Sequence, residues 1–384
     1  MNTYSVIMLG PRGSGKTVFL ASMYKKLSTQ GKLGFFLKVE STEKRKRLNN
    51  IYTQVAFEEE WPRGTRMSEV SEWEFTCRVQ TQSLSTYDAC KFAYIDYAGG
   101  RLIDEMEEED EEFNSITKNA DIMLVLLDGQ KLCGLMGGKR SDMIWAAKDL
   151  PSMLQQVQDN QRRPVHFVIS KWDIVEPYYN LRKIRDRLLE IEEFTNLVRA
   201  RNQAGIPVRL IPVSSVGKGF ATLNKDGSMA KNDGVFPKPF QVEVPLACTL
   251  PDIIEKKVQE LRQKIAAEQA REIEVKPELN WRDKFGKTLG SIGQGVKTIQ
   301  KFLPKGYRFD EDILEVLIEF AEKPAREKKA VAQRRTEELR IKQAKSLNKV
   351  VDEKTALDSA VNSFLSIRNQ LDIDFPESDL RNVL

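Results

Sequence analysis

The sequence predicts an α/β fold, a mostly parallel sheet covered by helices on both faces, followed by an α-helical region. Three observations predict it. An apolar run, Val6-Ile7-Met8-Leu9, leads into Gly10-Pro11-Arg12-Gly13-Ser14-Gly15-Lys16-Thr17 and then into a helical pattern. Strand, glycine-rich turn and helix in that order are a building unit of parallel sheets. Further apolar runs alternate with helical periods as far as about residue 270, as crossover connections require. Beyond about residue 271 the composition shifts towards charged, helix-prone sequence. The expected division is an α/β domain over 1–272 and a helical region over 273–384.

The elements follow in order. Residues 18–27 continue the first helix. Residues 34–40 read as a strand, and Ser41 is a candidate cap for a helix running to about Phe57. Residues 58–64 form a loop containing Trp61-Pro62-Arg63-Gly64. Residues 72–79 alternate like a strand with one exposed face. Residues 92–95 are a short buried strand ending at Asp96, and 122–127 a strand covered on both faces. A helix is expected over 141–158 and a strand over 165–169. Leu181, Ile184, Leu188, Ile191 and Val198 repeat at helical spacing, as core-facing residues do. A strand over 206–213 precedes a long Gly-, Asn-, Lys- and Pro-containing loop over 218–240, and a helix runs from Val244 to about Ala270.

In the second region, Phe285, Leu289, Ile292, Val296, Ile299 and Leu303 form an amphipathic pattern interrupted by glycines. Packing onto the first domain, a partner-docking helix and membrane-surface contact all fit it. Asp310 is a candidate cap for the next helix. Residues 323–354 are basic and helix-prone, which fits a solvated helix face or an electrostatic surface for nucleic acid or another acidic partner. Val361, Phe364, Leu365 and Leu371 mark one more packed helix.

Composition narrows the function classes. The 384 residues allow two or three domains, and 41% apolar with 30% charged residues is a globular balance. A net charge of +4 does not by itself indicate nucleic acid. Four cysteines, Cys77, Cys90, Cys133 and Cys248, lie far apart without metal-ligand spacing, which fits a reducing cytoplasm. The single histidine, His166, lies in an apolar strand. Its expected role is structural, which leaves little room for histidine triads or zinc sites. The chain runs directly into a strand, so no signal peptide is expected. No apolar run approaches the roughly 18 residues of a membrane span.

The chemistry lies at strand ends. The run from Gly10 to Thr17 fits G-x-x-x-x-G-K-[ST], the P-loop. Gly10, Gly13 and Gly15 let the backbone bend around Arg12 and Ser14 with its N–H groups turned inward towards phosphate. Lys16 can reach the β- and γ-phosphates, and the Thr17 hydroxyl can ligate Mg²⁺. Phe92-Ala93-Tyr94-Ile95-Asp96-Tyr97-Ala98-Gly99 is an apolar strand ending in a carboxylate, with a glycine three positions on. Asp96 can hold Mg²⁺ through water, and Gly99 can bring its backbone N–H to a γ-phosphate. In Ser170-Lys171-Trp172-Asp173, the Asp173 carboxylate can accept from guanine N1–H and the exocyclic amine, a donor pair that adenine lacks. Lys171 can lie along the base and sugar. Ser214-Ser215-Val216 ends the next strand in small residues whose backbone can meet the guanine oxygen.

On these four segments the chain resembles the Ras-like, translation-factor-related P-loop GTPases. Gly10 to Thr17 matches their first motif, Asp96 to Gly99 their D-x-x-G, Ser170 to Asp173 their N/T-K-x-D, and Ser214 to Val216 loosely their S-A-K. The resemblance covers about 1–270. It implies a P-loop NTPase domain, GTP or GDP with Mg²⁺, and switch segments that move with nucleotide state. Trp61-Pro62-Arg63-Gly64-Thr65 and Val242-Glu243-Val244-Pro245-Leu246 more narrowly look like bacterial GTPases of conflict or defence systems.

Departures from the pattern shape the expectation. Ser170 replaces Asn or Thr, and Ser215-Val216 replace Ala-Lys. Gly100 stands where the Ras group has its water-positioning glutamine, so the resemblance implies slow or partner-stimulated hydrolysis. Thr65 is the candidate to close on Mg²⁺ and the γ-phosphate, and a plain turn fits it nearly as well. Arg12 and Arg101 either stabilise the transition state or are simply solvated. The acidic run 104–112 would fall in the second switch, as a mobile loop or as a complement to the basic helix. Three functions follow. The first is a guanine-nucleotide switch with a protein effector or activator. The second is a permanently loaded scaffold. The third, an ATP-dependent kinase or motor, is disfavoured by Ser170 to Asp173.

Overall fold

The computed structural model describes residues 1–63, 71–96, 119–159, 162–224, 226–275, 300, 303, 307, 309–322, 328–381 and 383. Seven strands form the main sheet: β1 (Thr3–Leu9), β2 (Phe36–Lys38), β3 (Ser71–Gln80), β4 (Thr86–Asp96), β5 (Ile122–Asp128), β6 (Val165–Ser170) and β7 (Val208–Pro212). Their order is β2-β3-β4-β1-β5-β6-β7. The pairs from β4 through β1, β5 and β6 to β7 are parallel, whereas β2–β3 and β3–β4 are antiparallel. The expected mostly parallel sheet is therefore present. β1 lies between β4 and β5, where the chain passes from one half of the sheet to the other, the position where α/β sheets open a crevice at their carboxyl ends.

The central strands are apolar throughout because both faces are covered. In β1, Val6 and Met8 enter one core while Ile7 and Leu9 enter the other. The second face carries α3 (Gly129–Met136), α4 (Arg140–Asp159), α6 (Leu181–Leu189) and α7 (Glu192–Gln203). The first face carries α1 (Lys16–Leu27), Leu48 of α2 (Thr42–Phe57), and four later helices: α8 (Val244–Val275), α9 (Glu311–Glu322), α10 (Lys328–Asn348) and α11 (Glu353–Asp374). A one-turn helix, α5 (Trp172–Val175), follows β6. β3 and β4 meet water on one side, where Lys91 pairs with Glu74 and Arg78 with Asp88, each at 2.6 Å. That is the solvated face expected from the alternation over 72–79.

Local chemistry explains the boundaries. Ser41 caps α2, its Oγ accepting from the Lys44 N–H at 3.2 Å, as expected. Asp352 and Thr355 form a reciprocal capping box that ends the basic stretch and starts α11. The expected strand at 34–40 shrinks to Phe36–Lys38, and the strand ending at Asp96 begins earlier, at Thr86. The stripe from Leu181 to Val198 spans two helices, broken at residues 190–191. The long loop at 218–240 contains a second, two-stranded sheet of β8 (Ala221–Leu223) and β9 (Met229–Lys231). The division expected at 272/273 falls in the last turn of α8.

The helices after residue 300 complete the first core. Phe364 of α11 packs edge-on against Phe35 and Phe92, with centroids at 4.9 and 6.0 Å. Cys77 and Cys90 stand opposite each other on β3 and β4 as free, buried thiols. Among the described residues no helix is long and apolar enough to cross a membrane.

Candidate functional site

The glycine turn follows β1. Gly10, Gly13 and Gly15 have φ of +153°, +84° and +89°, a region that L side chains rarely adopt. At Gly10 a Cβ would also meet Ser14 Oγ at 2.9 Å and the Leu126 carbonyl at 3.1 Å. α1 then begins at Lys16, so its first N–H groups face the turn. Lys16 curls back, its Nζ donating to the carbonyls of Gly10 at 2.7 Å and Pro11 at 3.4 Å. Burial pulls the ammonium below its usual pKa, against the attraction of Asp96.

Beside it, the Thr17 hydroxyl donates to Asp96 Oδ2 at 3.3 Å. Asp96 ends β4 and is almost fully buried, and its Oδ1 has no hydrogen-bond partner. Burial pushes this carboxyl up, opposed by Lys16, Thr17 and Arg47. Thr17 and Asp96 together present hard oxygen donors of the kind that Mg²⁺ takes, with phosphate and water to complete six. No group of three or more Cys, His, Asp or Glu poised for a metal occurs among the described residues, so any ion here would rely on such outside ligands.

The ends of β6 and β7 supply the other half of the site. Ser170 Oγ donates to the Leu127 carbonyl at 3.2 Å, tying β6 to β5. Lys171 turns the chain in a left-handed conformation, φ +53°, and its Nζ bonds Asp128 Oδ2 at 2.7 Å. Asp173 then lies in the first turn of α5, where the Ser214 hydroxyl donates to its Oδ1 at 2.5 Å. Burial pushes the Asp173 carboxyl up and the Ser214 hydrogen bond opposes it. Ser214 Oγ in turn accepts from the N–H groups of Gly217 at 2.7 Å and Val216 at 3.4 Å.

These two halves open into one cavity of about 360 Å³. Arg12, Gly13, Ser14, Gly15, Lys16, Thr17, Ser170, Lys171, Asp173, Ser215 and Val216 all line it. Gly10, Asp96 and Ser214 stand behind that lining and fix its shape. Thr65, Gly99, Gly100, Arg101 and the acidic run 104–112 lie outside the described residues. So does most of the glycine-interrupted pattern over 285–303.

Several lining or supporting residues carried no site role in the sequence reading. Asp128 both holds Lys171 and caps α3, accepting from the Gln130 N–H at 2.9 Å. Its signal was available, since the apolar run 122–127 ends in a carboxylate just as the strand before Asp96 does. Trp61, Pro62, Arg63 and Met229 form a further wall. Trp61 stacks edge-on against Phe220 at 6.1 Å, and its Nε1 donates to the Met229 carbonyl at 2.7 Å. The turn Asp226-Gly227 between short alternating runs was the cue for the hairpin that carries Met229.

His166 has the structural role expected of it. Its Nε2 lies 2.8 Å from Asp252 Oδ2 in full burial, outside the cavity lining, and burial lowers its pKa against the pull of Asp252.

Fold and site together define a P-loop α/β domain joined to a helical C-terminal region. No protein-family model and no curated protein matches the chain. Among solved structures, the crystal structure of sup35 complexed with GDP is similar at 10% identity and a TM-score of 0.29. The match covers 56% of this chain and 37% of that one.

Proposed function

We propose that the chain binds a guanine nucleotide with Mg²⁺ and acts as a switch that hydrolyses GTP slowly or when a partner protein assists. One observation carries this reading. The half-buried carboxylate of Asp173 and the loop around Lys16 line a single cavity, with Lys171 among its walls. A carboxylate satisfies the paired donors of guanine, whereas adenine would leave it desolvated and unpaired. The bond from Ser214 supports this by fixing the Asp173 side chain.

In this reading the glycine turn and Lys16 hold the phosphates. Thr17 and Thr65 ligate Mg²⁺ and Asp96 holds it through water. The ion, when bound, neutralises charge on the phosphate oxygens. The fit is supported by the oxygen donor set and by the unpartnered Asp96 Oδ1. Gly99 offers its N–H to the γ-phosphate. Gly100 has no side chain to orient a water, so turnover without a partner is expected on the order of 10⁻³ s⁻¹ or below. Residues 1–272 would hold the nucleotide, and the helices from 273 onward would pass its state to a protein effector.

Competition binding on the purified chain tests the assignment. GTP and GDP are expected to bind about 100-fold or more tighter than ATP, and Lys16→Ala is expected to abolish binding of all three. Equal affinity for ATP removes the role given to Asp173. Unchanged affinity in Lys16→Ala removes the role given to the loop.

A further inference from the structure

The hairpin β8–β9 is fastened at three points around the cavity. Lys231, its last residue, turns its ammonium inward onto three backbone carbonyls: Gln54 at 3.0 Å, Glu58 at 2.6 Å and Glu60 at 3.1 Å. An ammonium has three donors, and all three are used. The Gln54 carbonyl, which also accepts from the Glu58 N–H at 3.1 Å, and the carbonyl of the C-cap Glu58 lie at the C-terminal end of α2, where the helix dipole favours a cation. The same ammonium lies 4.8 Å from the centroid of the Trp61 ring. Trp61 is the second fastening, through its Nε1 bond to the Met229 carbonyl. The third is at the turn, where Gln130 Nε2 of α3 donates to the Gly227 carbonyl at 2.9 Å. The hairpin thus runs from α3 to the end of α2, and Met229 and Trp61 face the cavity between.

Beneath the hairpin lies a third, small core. Val55, Val216, Phe220 and Ala221 are its buried members, with Val18, Trp61 and Met229 packed against them. It is a cluster distinct from the two cores that hold the sheet, and Met229 links it to the second of them. The stem of the hairpin also continues the base-recognition loop. The Lys238 N–H donates to the Val216 carbonyl and the Asn232 N–H to the Phe220 carbonyl, both at 2.8 Å.

We propose that the β8–β9 hairpin is a strap across the nucleotide cavity, that Lys231 is its latch, and that release of this latch sets the rate at which nucleotide leaves. This rests on the reading of the cavity as a guanine-nucleotide site. Lys231 and Trp61 act as positioning residues. They fix the wall formed by 61–63 and Met229 against the base loop.

The test is the dissociation rate of a fluorescent GDP from the full chain in Mg²⁺, alongside its association rate. Lys231→Met keeps the length of the side chain and removes the charge. It is expected to speed release by about tenfold or more, the scale of losing a charge-assisted hydrogen bond, with association changed less than about threefold. Trp61→Phe keeps a ring in place and removes the bond to Met229. It is expected to speed release by a smaller factor, and it decides the matter if Lys231→Met fails to fold. Release unchanged within twofold in the folded variants overturns the strap while leaving the nucleotide reading intact. A wild-type chain that binds no GDP overturns both.

Discussion

Asp173 shows how much one side chain's chemistry depends on its neighbours. The carboxylate is half-buried, its desolvation raises its pKa, and the Ser214 hydroxyl holds it at 2.5 Å. Asp173→Asn keeps the size of the group and its acceptor for Ser214, but replaces one acceptor oxygen by a donor. The resulting donor–acceptor pair matches N1–H and the 2-oxygen of xanthine, not the two donors of guanine. Competition binding is expected to show GTP affinity falling by about 100-fold or more and XTP affinity rising. Equal losses for both nucleotides would mean that Asp173 serves the fold and not the base. The residues of this site were legible where the chemistry is carried by residue type and short spacing, as at Gly10 to Thr17, Asp96 and Asp173. Trp61 and Met229 were not, because a tryptophan in a loop and a methionine in a polar stretch announce no partner. They meet across 168 residues of sequence.

Among the elements, the strands of the sheet were legible because burial on both faces writes a continuous apolar run. The hairpin over 221–231 carried one cue only, the Asp226-Gly227 turn. Its strands are three residues each, and its Gly, Asn and Asp content reads as loop. Its stem depends on Gly217, which has φ +81° and where a Cβ would sit 2.0 Å from the Lys238 carbonyl oxygen. Gly219 also has positive φ, +77°, but open space around it. The two glycines therefore separate backbone strain from steric blockage. Gly219→Ala is expected to cost about 1 kcal/mol of stability. Gly217→Ala is expected to cost about 2–3 kcal/mol and to weaken guanine-nucleotide binding as well, because the Val216 backbone is displaced with it. Chemical denaturation and nucleotide titration on the two variants check this. Equal effects would show that Lys238 gives way without cost.

At the scale of the whole molecule, a buried ionic network ties the C-terminal helices to the strands that carry the site. Arg209 of β7 grips Asp252 of α8 at 2.5 and 2.9 Å, beside His166 of β6. Arg368 of α11 reaches Asp252 at 3.3 Å and Glu255 at 2.6 Å, and Arg381 also pairs with Glu255. Burial alone would raise the Asp252 carboxyl, but Arg209 and Arg368 hold it well below the usual carboxylate range. The Leu380 N–H then joins the Val208 carbonyl at 3.0 Å, adding the tail to the edge of the sheet. The helical character of 353–374 was legible, but its docking was not. Arg368 and Glu255 are each almost fully buried, the uncommon case that only pairing permits. Arg368→Met removes charged hydrogen bonds while leaving Asp252 with Arg209 and Glu255 with Arg381, so it is expected to destabilise the chain by about 1.5–3 kcal/mol. A fragment ending at residue 272 loses Arg368, Asp372 and Arg381 together and uncovers Phe35 and Phe92, against which Phe364 packs. Such a fragment is expected to show no cooperative thermal transition and no nucleotide binding, while the full chain melts with its sheet and α11 in a single step. A fragment that melts cooperatively and binds GDP would instead establish 1–272 as a self-sufficient unit, with the later helices as an appendage. The network argues for the first outcome, because the strands ending at Ser170 and Pro212 carry His166 and Arg209 on the face that α8 and α11 close. The same buried charges that hold those helices in place therefore hold the strands whose ends present Asp173 and Ser214.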